Sequence, residues 1–133
     1  MNPTVSEVRQ ALADKAANVY GLRAYAYQPD DPRPPVAFVM LDRIEYDLNA
    51  QRGADTSYYV ITVIVGRAND RAAQKNLDQY LVGSDSVKTA IEADRTLGGV
   101  VNTCRVTEAR NYVSVSVGDT TYLQVELEVE VVA

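Results

Sequence analysis

Thr121-Tyr122-Leu123-Gln124-Val125-Glu126-Leu127-Glu128-Val129-Glu130-Val131 changes character at every step. A period of two belongs to a β-strand, which sends successive side chains to opposite faces. Thr121, Leu123, Val125, Leu127, Val129 and Val131 therefore line one face, built for a core. Tyr122, Gln124, Glu126, Glu128 and Glu130 line the other. Like charges side by side on a strand repel, so three carboxylates in a row need a reason of their own. The rest of the chain can be read as what covers the apolar side.

This strand is the second half of a hairpin that begins near Arg105 and turns at Val117-Gly118-Asp119-Thr120. In the first half Cys104 and Val106 are apolar at even positions, and Val113, Val115 and Val117 at odd ones. Such a slip predicts a bulge or break near Glu108 to Asn111. A two-residue Gly118-Asp119 turn would pair Val115 with Tyr122 and Val113 with Gln124. A three-residue Gly118-Asp119-Thr120 loop pairs Val115 with Leu123 and Val113 with Val125, joining the valines to the leucine face, and is the preferred reading.

With 133 residues the chain is one domain, spanning 1–133, able to bury a core without staples. Its 47% hydrophobic and 23% charged residues place it among globular proteins rather than disordered ones. No stretch reaches the length of a membrane span, and the N-terminal residues lack the layout of a secretion signal, so the expectation is a cytoplasmic chain without membrane partners. The single cysteine, Cys104, excludes an internal disulfide and reads as a small buried hydrophobe. There is no histidine, which removes the commonest general base and metal ligand. The net charge of −5 disfavours holding nucleic acid by its phosphates. From Asn111 to Ala133 there are four acids, Asp119, Glu126, Glu128 and Glu130, and no Lys or Arg, so most of the imbalance belongs to the hairpin.

Working back, Thr4 and Glu7 form a capping box, and Val5, Val8, Leu12 and Val19 recur at helical spacing. This predicts a helix from Val5 to Tyr20, ended by Gly21, with Leu22 folding back on its last turn. Leu22 to Gln28 alternates as a first strand. Pro29-Asp30-Asp31-Pro32-Arg33-Pro34-Pro35 cannot join a ladder and is a stiff connector. Val36 to Leu48 is apolar on both faces at first; later its even positions stay apolar except for Asp42, while Arg43, Glu45 and Asp47 carry charge. That predicts a central strand that leaves the core and projects outward, paired with Ser57 to Gly66. The polar tip between them, with Asn49, Gln51, Arg52, Gly53 and Asp55, is a candidate contact loop. Asn69 caps a helix through Leu77, Tyr80 and Leu81 that ends at Gly83; Ser84-Asp85-Ser86 caps a short helix through Val87, Ala90 and Ile91; Gly98-Gly99 is a turn.

Helix, three strands, helix pair and two strands predict an α+β domain: a single, mostly antiparallel sheet of about five strands with an N-terminal helix and a central helix pair packed on one face. Gly21-Leu22-Arg23-Ala24-Tyr25-Ala26-Tyr27, Leu77-Asp78-Gln79-Tyr80-Leu81, Ser86-Val87-Lys88, Thr96-Leu97-Gly98-Gly99, Asn111-Tyr112 and the closing Tyr122 to Val131 together resemble the tail terminator (tail completion) proteins of long, non-contractile-tailed bacteriophages. The resemblance runs in order along nearly the whole chain. It implies a structural virion protein without catalytic activity or cofactor, a small subunit of a ring, usually hexameric, that caps the finished tail tube and joins it to the head. Its partners would be its own copies, the tail tube protein and a head-side connector protein, with duplex DNA passing through unbound. Its place would be the head-proximal end of the tail in the virion, and the host cytoplasm during assembly. A head-side connector is the neighbouring role.

A ring that passes DNA benefits from an acidic bore, because carboxylates repel phosphates. Glu126, Glu128 and Glu130 are candidates for that lining, with a solvated outer face as the plain alternative. The loop around Asn49 to Asp55 is the candidate contact to tail tube or connector. Tyr58, Tyr59 and Tyr122 are candidate subunit-interface residues, against core or sheet-surface packing for the first two. A remote alternative is a carboxylate-only hydrolase using same-face glutamates, which no supporting lysine, histidine or tyrosine constellation accompanies. No basic stripe with interleaved aromatics marks a nucleic-acid-binding module.

Overall fold

The computed structural model describes residues 4–19, 22–30, 35–46, 55–67, 71–117 and 120–132. In chain order they form α1 (Val5–Ala16), β1 (Arg23–Tyr25), β2 (Val36–Glu45), β3 (Thr56–Arg67), α2 (Arg71–Leu81), α3 (Val87–Glu92), β4 (Thr103–Val117) and β5 (Thr120–Val132). The strands make one five-stranded sheet in the order β1-β2-β3-β5-β4. β1 runs parallel to β2, and the remaining three pairings are antiparallel. The expected α+β class and mostly antiparallel sheet are what the chain adopts.

The apolar face of β5 organises the core. Leu123, Val125, Leu127, Val129 and Val131 lie with Ala37 and Val39 of β2 and Tyr59, Ile61, Val63 and Val65 of β3 under Val8, Leu12 and Ala16 of α1, Leu77 and Tyr80 of α2, and Val87 and Ile91 of α3. Each large aliphatic side chain so buried is worth about 1.5–3 kcal/mol. All three described helices thus cover one face of the sheet, hereafter the helix face. The other is the open face, where Val36, Phe38 and Ile64 form a second, smaller cluster flanked by Tyr122.

Helix starts follow the sequence closely. The Thr4 hydroxyl accepts the amide of Glu7 at 3.1 Å, and the Ser86 hydroxyl accepts that of Thr89 at 3.1 Å, each satisfying an orphan donor of a first turn. The end of α1 differs from expectation. It stops at Ala16, and backbone bonds from Asn18 to Lys15 and from Val19 to Ala16 tighten the chain into turns that bury Val19 and Leu22. Tyr20, Gly21, Asn69 and the central connector residues 31–34 lie outside the described residues. After β1, Tyr27 is held against α1 by the Ser6 hydroxyl at 3.0 Å and by Arg9, whose guanidinium stacks 4.6 Å from the ring centroid.

Bulges decide which face each half of β2 and β4 shows. In β2 the register steps from Leu41 opposite Tyr59 to Arg43 opposite Tyr58, leaving Asp42 as the extra residue. Val36, Phe38 and Met40 therefore point to the open face, while Ile44 crosses to the helix face and Arg43 takes its place on the open one. Asp42, the single polar residue among the apolar even positions, marked that switch in the sequence. In β4 the register steps twice, between Val106 and Glu108 and between Arg110 and Val113; the slipped periodicity predicts one step, and the second of these falls where it is expected.

The hairpin register corrects the sequence reading. Val115 pairs with Tyr122 and Val113 with Gln124, the register of a two-residue turn. The valines join the open face and not the leucine face. The physical reason is the second bulge: Asn111 takes a left-handed backbone (φ 55°), and one extra residue inserts opposite Val125. Tyr112 turns toward α2, where its hydroxyl donates to Asp78 at 3.1 Å, and parity is inverted for everything beyond.

Asn tolerates the left-handed region and a β-branched residue does not. Asn111→Val is expected to lower unfolding free energy in denaturant titration by about 1–2 kcal/mol from backbone strain alone. Asn111→Gly, which keeps the backbone and loses only the side-chain bond, is expected to lose less.

Candidate functional site

The open face of β5 carries the glutamate row, and the ladder sets what stands beside it. Glu130 lies between Tyr58 of β3 and Arg105 of β4, Glu128 between Val60 and Glu108, and Glu126 between Thr62 and Arg110. Each glutamate is half-buried. Arg110 is the hub. One of its terminal nitrogens donates to Glu128 at 2.6 Å and to Glu108 at 2.8 Å, and its Nε lies 3.7 Å from Glu126. Glu126 also accepts the Asn111 amide at 2.6 Å, and Glu128 the Thr107 hydroxyl at 3.2 Å. Arg105 stands 4.0 Å from Glu130. At the end of the row Arg43 stacks 4.0 Å over the Tyr58 ring and pairs with Glu45 at 3.5 Å.

The row is thus a cross-strand ionic lattice. β5 has no base of its own, and β4 supplies Arg105 and Arg110. Against Glu108, Glu126, Glu128 and Glu130 these leave a residual charge of two negatives on the β4–β5 part of the face. Arg110 lowers the pKa of Glu128 through its hydrogen bond, against the opposing effect of desolvation, and Thr107 assists. The two carboxylates in turn hold the Arg110 guanidinium firmly charged.

Beside the lattice the open face also carries apolar side chains. Tyr25 of β1 pairs with Phe38, Met40 with Val60, and Val113 and Val115 stand opposite Gln124 and Tyr122. Tyr25, Met40 and Val113 remain 43%, 47% and 46% exposed. Of the expected interface tyrosines, Tyr58 and Tyr122 stand on this face, and Tyr59, 1% exposed on the helix face, is core. The expected contact residues Asn49, Gln51, Arg52 and Gly53 lie outside the described residues; Asp55 is half-buried just before β3.

A second constellation escaped the sequence reading. Glu92 at the end of α3 accepts the backbone amide of Val106 at 2.9 Å, the Lys88 ammonium, and Arg95 at 3.1 Å. Lys88 reaches the Val106 carbonyl at 3.4 Å. Burial pushes the Glu92 carboxyl up, and these donors outweigh it, so its pKa falls below the ordinary value. The signal available in sequence was the i,i+4 spacing of Lys88 and Glu92. Beneath them Cys104 is 1% exposed, and burial, reinforced by Glu92, pushes its thiol up to about 11. The shallow groove between α1 and α3 is lined by Asn18, Ser84, Asp85, Ser86 and Thr89. Two of its hydroxyls are engaged locally: Ser86 caps α3 and Thr89 donates to the Gly83 carbonyl at 2.7 Å.

Among the described residues no group of three or more His, Cys, Asp or Glu could hold a metal ion, and no helix is long and apolar enough to cross a membrane. No protein-family model matches the chain, and a search of curated proteins returns no match.

A carboxyl with a depressed folded pKa contributes stability above the ordinary carboxylate range, and that contribution is lost as pH falls through the depressed value. Arg110→Met is therefore expected to destabilise the protein at neutral pH, and its unfolding curves are expected to converge on those of the wild type as pH drops below the carboxylate range. A constant offset at every pH would assign Arg110 a packing role instead.

Proposed function

We propose that the protein is a structural subunit of a bacteriophage tail, a tail terminator whose copies form a ring on the end of the tail tube, stop its growth and offer the surface that meets the head. The observation that carries this reading is the two-sided sheet. Three helices seal one face of a small domain, while the other combines an ion-paired lattice with exposed Tyr25, Met40 and Val113. A face that carries both exposed apolar groups and fixed charges has the mixed character of an assembly surface. The ordered resemblance of Gly21 to Tyr27, Leu77 to Leu81, Asn111-Tyr112 and Tyr122 to Val131 to the tail terminators supplies the specific role.

In this reading Glu126, Glu128 and Glu130 face the passage. Their residual negative charge repels phosphate, and their pairing with Arg105 and Arg110 keeps the side chains in place while DNA slides by. The tail tube protein would bind one rim of the ring and the head-side connector the other.

Virions assembled without the protein are expected to carry tails of excess, uncontrolled length in electron micrographs. Tails of normal length that fail to join heads would assign the chain to the connector instead. The purified protein is expected to show closed rings by negative stain, with a matching mass by light scattering.

A further inference from the structure

A five-stranded sheet with the order β1-β2-β3-β5-β4 has two edges, β1 and β4. An edge strand offers unpaired backbone groups, and proteins guard it with charge, bulges or a covering element. β4 is guarded over one half only. At Val106 both amide and carbonyl are taken by α3 side chains, Glu92 and Lys88, so they point away from β5, and that stretch of the outer edge is already occupied. Arg105, Glu108 and Arg110 add charge there. Beyond the second bulge the strand reads Asn111-Tyr112-Val113-Ser114-Val115-Ser116-Val117: seven residues with no charge, no Gly and no Pro. Asn111 to Ser114 and Ser116 are exposed, and among the described residues no side chain is bonded to the backbone of Tyr112 to Ser116. This is the composition that adds strands.

We infer that the Asn111–Val117 half of β4 is a strand-addition site, and that its occupant is β1 of a neighbouring copy of this chain, so that the sheets of successive subunits join edge to edge. The inference rests on the ring reading above. A ring needs a heterologous contact, one patch meeting a different patch, and the sheet provides a different edge on each side.

Three features fit β1 to this place. The first is direction: β1 is parallel to β2, and β2-β3, β3-β5 and β5-β4 are each antiparallel, so β4 runs opposite to β1. A sheet that continues into the next copy thus pairs them antiparallel, with straight hydrogen bonds. The second is side-chain matching. Tyr25 of β1 and Val113 of β4 both stand on the open face, 43% and 46% exposed, and joining the edges covers both. The third is charge: with Tyr25 opposite Val113, Arg23 on the open face of β1 falls opposite Val115, in the uncharged half of β4, and meets no like charge.

The dimensions close as well. Five strands spaced about 4.8 Å apart give each subunit an arc of about 24 Å, and six such arcs make a wall of about 144 Å, a circle about 46 Å across at the backbone. That leaves a bore with room for a duplex after side chains are added on either side. The helices fall on the outside and the glutamate row within.

The test is cysteine cross-linking of assembled protein. Cys104 is buried and stays silent. Under mild oxidation the double variant Tyr25→Cys/Val113→Cys is expected to give a ladder of linked chains on a denaturing gel, ending at the subunit number of the ring, while each single variant runs as a monomer. Covalent dimers from Val113→Cys alone would show β4 meeting β4 and overturn the β1 assignment. Rings in the images with no ladder would overturn the edge contact and leave the terminator reading standing; loss of both rings and ladder would overturn the two together. Val113→Lys, which places a charge on the unguarded half, is expected to weaken ring formation at least tenfold in protein concentration while circular dichroism stays that of the wild type. Unimpaired rings from this variant would count against the site.

Discussion

Everything in this molecule depends on keeping Leu123, Val125, Leu127, Val129 and Val131 beneath the helices. A strand with period two has no partial solution. Either all five are buried or, one residue out of register, all five are wet. The neighbouring strands accommodate that demand. Where β2 and β4 carry sequence that would put charge under the helices, Asp42 and Thr107 shift the frame by one residue and send Arg43 and Arg110 to the open face; the Asn111-Tyr112 bulge then brings Val113 to that face as well.

The same frame shifts create the open face. Without the step at Thr107, Arg110 would lie on the side away from the glutamates, and the row on β5 would stand without its hub. A bulge in one strand is therefore what makes three like charges tolerable on the next. Electrostatics here follows from backbone geometry, and the lattice is as much a product of register as the core is.

Much of this was legible beforehand, and the legible part is local. The capping box at Thr4, the cap in Ser84-Asp85-Ser86 and the alternation of β5 are patterns within a few neighbouring residues, and the chain obeys them, while the parity slip in β4 located one of its two bulges. What escaped were relations across the sheet. The glutamates looked uncompensated because no basic residue follows Asn111 in sequence, while Arg105 and Arg110 stand directly across the ladder. The hairpin register went the other way because joining the valines to the leucine face assumed that apolar residues seek one core; here a second cluster, with Val36, Phe38, Ile64 and Tyr122, exists on the far side. Tyr59 and Tyr58 are adjacent in sequence and opposite in fate, one sealed in the core and one stacked under Arg43.

The buried thiol at Cys104 has a chemical consequence for a chain proposed to act in many copies. A ring multiplies each reactive group by its subunit number and holds the copies at high local concentration, conditions that favour unwanted disulfides once a particle leaves a reducing cell. Cys104 avoids this. It sits under α3 behind the Glu92 carboxylate, where burial and negative charge push its pKa up to about 11 and disfavour the thiolate that exchange chemistry requires. In the proposed ring, Cys104 would therefore not seed disulfides between copies.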